Sequence, residues 1–105
     1  MSRWVDQLSP KIVFKGCVIS IMTGVTGPYV FRVESVDGAH NQLIGRITVP
    51  QQETDGSTRG SIRADLKRGD KLEFTADPEL EASLRPNGTA SWITLGTIVS
   101  IRLGL

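Results

Sequence analysis

Eight side chains in this sequence have the types and spacing to hold a polyanion: Arg32, Arg46, Arg59, Arg63, Lys67 and Arg68 as cations, Tyr29 and Trp92 as aromatic surfaces. Cationic side chains displace the counterions of a phosphate backbone, and aromatic rings stack on unpaired bases. Arg32 and Arg46 fall at corresponding parities of two successive strand-like runs, so one sheet face would present both. A competing reading pairs Arg46 or Arg32 with Glu34 across those strands. For each charge of the run 59–71, the competing reading is ordinary solvated surface. Tyr29 and Trp92 can stack only if they point outward, and Trp4 is a third ring with the same requirement.

Other reactive residue types carry less. His40 is the sole histidine and follows Asp37-Gly38, so a solvated turn position is expected. Cys17 is the sole cysteine and lies in an apolar run, which predicts a buried, inert thiol and excludes an internal disulfide. Gly24-Val25-Thr26-Gly27 lacks the lysine and following helix of a phosphate loop. Glu79 and Glu81 have no partner that would make them an acid/base pair. The expectation is a protein that is not an enzyme, with no metal and no cofactor.

The bulk properties are mild. The chain has 105 residues, 12 basic and 11 acidic side chains and a net charge of +1. That balance is no general signature of nucleic-acid binding, but the charge is unevenly placed. Residues 59–71 hold five basic side chains against two acidic ones, whereas Glu73, Asp77, Glu79 and Glu81 follow with no base among them. The sequence shows no signal-peptide core and no run near the roughly 20 apolar residues of a membrane helix. A soluble cytoplasmic protein, without a membrane partner, is expected.

The elements that must position these residues follow from periodicity. Residues 1–11 form a lead-in, with Ser2 capping a helical turn that aligns Trp4, Val5 and Leu8. Residues 12–105 form one β-barrel domain. Ile12–Met22 is apolar at nearly every position, Thr23–Pro28 is a turn, and Tyr29–Val36 alternates, which together predict a hairpin. Tyr29, Phe31 and Val33 share one face of it. Asp37–Asn41 is a second turn, Gln42–Val49 a third strand, and 51–61 a polar loop. Ile62–Lys67 is read as one helical turn. Arg68-Gly69-Asp70 turns into a fourth strand, Lys71–Ala76. Residues 77–90 are a long connection with a tight turn at Asn87-Gly88, and 91–103 is a last strand bent at Gly96. Five strands with at most one short helix predict a small closed barrel with Phe14, Val18, Phe31, Val33, Ile47, Leu72, Phe74 and Ile101 in its core.

Three stretches in this order resemble the OB-fold. Phe14-Lys15-Gly16-Cys17-Val18 resembles its first strand, Leu66-Lys67-Arg68-Gly69-Asp70-Lys71-Leu72 the turn into its fourth, and Ile98-Val99-Ser100-Ile101 its closing strand. The resemblance implies an all-β, five-stranded Greek-key barrel. It also implies a binding surface on the second and third strands, flanked by the loops Thr23–Pro28 and Asp77–Ala90. The expected function is a non-catalytic single-stranded nucleic-acid-binding module, for DNA rather than RNA. The alternative is a protein-interaction or assembly module on the same barrel. Self-association through a barrel edge is also expected, because Cys17, Ile19, Ile21, Val99 and Leu103 put apolar groups on both parities of the first and last strands.

Overall fold

Twelve residues, Ile93–Gly104, form the strand on which the barrel closes. In a computed structural model that describes residues 2–24, 26–51, 56–76 and 92–104, this strand is β7. The others are β1 (Ser2–Val5), β2 (Val18–Thr23), β3 (Tyr29–Asp37), β4 (Gln42–Thr48), β5 (Thr58–Arg63) and β6 (Lys71–Ala76). Strands β2 to β7 pair antiparallel with their sequence neighbours, and β7 pairs with β2 to close the ring. β1 adds to β7 outside that ring. Closure leaves few exposed strand edges.

The all-β class and the small closed barrel are those expected, and they are compatible with an OB-like fold. The barrel has six strands and one extra strand rather than five. Each strand from β2 onward sits beside the next in sequence, where a Greek key would place a crossover. No helix occurs among the described residues.

Several local expectations are corrected. Ser2–Val5 is a strand paired along β7, from Ser2↔Gly104 to Val5↔Ile101, not a capped helical turn. The edge of β7 offers those residues a full ladder, which a single turn of helix cannot match. β2 starts at Val18, because Ile12–Cys17 are taken up by tight turns closed by Ile12 N donating to Ser9 O and Cys17 N donating to Phe14 O. Phe14 is therefore 47% exposed instead of buried. Val18 is only half-buried, because the inward parity of β2 belongs to Ile19 and Ile21. Residues 58–61 are strand, not loop, and Ile62 lies within β5, which Arg63 ends, instead of starting a helical turn. β5 is disguised by Gly60 and Ser61, but ladders with β4 and β6 hold it on both sides. The connection 77–90 lies outside the described residues.

Alternation then builds the interior. Ile19, Phe31, Val33, Leu43, Ile47, Leu72, Phe74, Ile98 and Ile101 all point inward and are buried. Leu8 seals one end, its N donating to Leu66 O at 2.7 Å. Cys17, Ile19, Ile21 and Leu103 are inside as well, so of the residues that suggested an apolar edge only Val99 is exposed. Burial pushes the Cys17 thiol pKa up from its ordinary value, as expected for an inert thiol.

Two irregularities shape the site. In β3 the register with β4 shifts between Val33 and Ser35, so Glu34 is the extra residue of a β-bulge. Next to it, Gly45 has no room for a side chain: a Cβ there would collide with the carbonyl of Arg32 and lie 3.1 Å from the Phe31 ring. Gly45 lets β3 and β4 approach closely, and Phe31 covers the gap from inside.

Candidate nucleic-acid interface

Register brings three of the predicted cations into one row. Arg32 on β3 faces Arg46 on β4, and Arg46 faces Arg59 on β5. All three are exposed, on the outer face of the sheet. Neighbouring strands lie about 4.8 Å apart, so the row spans roughly 10 Å between its outer Cα atoms. The approach permitted by Gly45 lies directly beneath it.

The row includes its own acid. Glu34 Oε1 lies 3.9 Å from Arg46 Nε and 3.8 Å from Arg59 Nε. The cross-strand pairing of Glu34 with Arg46 is thus present, and Arg59 joins it. That oxygen is shielded from solvent and accepts no hydrogen bond among the described residues. Arg32 has no ion-pair partner among the described residues.

Arg63 lies four positions along β5 from Arg59, on the same parity. Its Nε is 3.9 Å from Glu73 Oε1, and its guanidinium stands 5.4 Å from the centre of the Trp92 ring. A guanidinium over an indole is a cation–π pair. Trp92, partly buried, thus stands against Arg63, about 13 Å along β5 from Arg59.

The other predicted residues go elsewhere. Tyr29 is 9% exposed and points into one end of the barrel, with its hydroxyl 3.0 Å from Thr26 Oγ1 and donating to Leu95 O at 3.5 Å. Its parity with Phe31 and Val33 decides against stacking. Lys67 and Arg68 sit in the β5–β6 turn against the N-terminal segment. Lys67 bridges to Gln7, and Arg68 Nη1 is 3.9 Å from Asp6 Oδ1. Trp4, 68% exposed, lies on the opposite side of the barrel with Arg102 5.7 Å from its ring centre.

Sequence reasoning missed two features. It does not place Arg59 in the row, because residues 51–61 read as a polar loop. It also missed a cleft of about 630 Å³ at the Tyr29 end, lined by Met22, Thr23, Thr26, Gly27, Val49 and Pro50 among others. The expected turn histidine is present: His40 is exposed, with Nδ1 2.8 Å from Asp37 Oδ2. That contact, first of all, holds the Asp37 carboxyl below its ordinary value of 3.8.

Among the described residues, no group of three or more His, Cys, Asp or Glu side chains is arranged to hold a metal ion. No helix there is long and apolar enough to cross a membrane. The chain matches no protein-family model, no curated protein and no solved structure, so a functional reading rests on the arginine row and its surroundings.

Proposed function

We propose that this protein is a non-catalytic module that binds single-stranded nucleic acid, DNA in preference to RNA, along the outer face of β3–β4–β5. The observation that carries this is the register Arg32↔Arg46↔Arg59, three guanidinium groups on adjacent strands of one exposed face. Guanidinium groups bind phosphate oxygens through paired donors. The Arg63–Trp92 pair adds a planar surface about 13 Å along β5 from Arg59, on which a base can stack for about 1–3 kcal/mol. Contacts of this kind are tolerant of sequence and strongly salt-dependent. The test is fluorescence anisotropy with a labelled 30-mer of DNA and of RNA at two salt concentrations. Binding that weakens steeply with salt supports the reading, and no binding of either strand at low salt removes it.

A second reading is a protein-interaction or assembly module. It is favoured by Trp4, Met22 and Val99, large apolar side chains exposed on the outer faces of β1, β2 and β7. A second copy of the chain is the first partner to test. Sedimentation at tens of micromolar that shows only an 11.4 kDa species removes self-association.

A further inference from the structure

The acid inside the arginine row is an unusual neighbour for a phosphate-binding face. Glu34 is the extra residue of the β3 bulge, and its carboxylate reaches cations on both β4 and β5. One oxygen, Oε1, approaches the Nε of both Arg46 and Arg59, at 3.9 and 3.8 Å. Those distances are ion-pair contacts without hydrogen bonds. The oxygen is shielded from solvent, yet no described residue donates to it. It has lost water without gaining a donor, an arrangement that costs free energy and is easily exchanged. The Glu34 side chain is 41% exposed, so the pairs are also weakened by solvent.

We propose that Glu34 is an internal competitor for the anion that the row binds, and that it sets which anions succeed. This rests on the reading of β3–β4–β5 as a phosphate-contacting face. An isolated phosphate gains two guanidinium contacts but meets the Glu34 charge at close range. A chain of phosphates also reaches Arg32 and, about 13 Å along β5 from Arg59, Arg63, and so offsets that repulsion. Glu34 therefore weakens the row's hold on any anion, and a polyanion outweighs it. The chemical class of ligand is a linear polyphosphate ester or anhydride, and nucleic acid is the member named above.

The test compares wild type with Glu34→Gln and Glu34→Ala, using labelled dT30 and long-chain inorganic polyphosphate as probes. Removing one like charge at contact distance through water should tighten binding about three- to tenfold. Both variants should show this for both probes, with melting temperatures near that of wild type. Equal or weaker binding by the variants overturns the inference, and if wild type binds dT30 the nucleic-acid reading survives that result. Conversely, tighter polyphosphate binding by the variants with no dT30 binding by any form keeps the Glu34 inference and removes the nucleic-acid reading. No binding of either probe by any form overturns both.

Discussion

The outer faces of β3–β4–β5 and of β1–β7–β2 lie on opposite sides of one ring, since β4 and β7 are three strands apart in a circuit of six. The first carries Arg32, Arg46, Arg59 and Glu34 in contact register. The second carries Trp4, Met22 and Val99, with a cavity of about 180 Å³ between Trp4, Ser20, Met22, Pro28, Ser100 and Arg102. Both faces rest on the same interior. Burial dictates what points inward, with Ile19 and Ile101 under one face and Phe31 and Ile47 under the other. It leaves the outward positions unconstrained, and these have taken opposite chemistry. A charged row bound to solvent favours a polyanion, whereas clustered apolar groups favour a protein surface.

That contrast can be broken at several points. Phe31→Ala should have the largest effect, costing about 3–5 kcal/mol by opening a cavity beneath Gly45 and the arginine row. Denaturant melts will read it, and a loss below about 1 kcal/mol would mean that Phe31 does not support the charged face. Next, Arg32→Ala with Arg46→Ala should weaken binding of single-stranded DNA at least about tenfold, or 1.4 kcal/mol, while the melt stays near wild type. Unchanged anisotropy titrations would detach the row from binding. Smaller still, Trp4→Ala should alter DNA affinity by less than about twofold, because its ring contacts Arg102 on the far side. A loss comparable to that of the arginine pair would join the two faces into one surface.

The smallest effect concerns the turn that joins β3 to β4. Asp37 has a depressed pKa, chiefly through its hydrogen bond with the His40 ring, so its contribution to stability exists above the ordinary carboxylate value of 3.8. It is lost as pH falls through the depressed value. His40→Ala should therefore lower the urea midpoint slightly near pH 6, and the difference from wild type should shrink as pH is taken below the ordinary carboxylate value. A difference that grows on acidification would contradict the sign of the shift.

Much of this was legible where one parity was clearly apolar. β3, β4 and β6 alternate, so Phe31, Val33, Ile47, Leu72 and Phe74 were placed inside correctly. Where both parities were apolar, as in residues 12–22, the sequence did not say which faced in, and Phe14 and Val18 were misplaced. β5 failed for another reason. Gly60 suits its position because a Cβ would collide with the Phe74 ring and the Thr75 carbonyl, a fact of tertiary packing that local propensity cannot express. The arginine row needed more than parity. Arg32 and Arg46 could be assigned to one face, but their direct opposition depends on the β3–β4 register set with the Glu34 bulge, and the addition of Arg59 on the separate β4–β5 register. Trp92 beside Arg63 depends on how β7 enters the barrel.

β7 has a consequence for how the chain is made. It borders β6 through Ile93–Thr97, β2 through Ile98–Gly104 and β1 through Ile101–Gly104, and it leaves the ribosome after the other six strands. Until then the hairpins of β2 to β6 can form an open meander, but β2 and β6 each keep one unpaired edge, and β1 has nothing to join. Closing the ring then pairs β2 with β7, residues far apart in the chain, the kind of contact that forms slowly. Nascent chains stalled before residue 93 should therefore expose β2 and β6 edges together with the inward faces of Ile19, Ile21 and Leu72, a surface that attracts chaperones or other nascent copies.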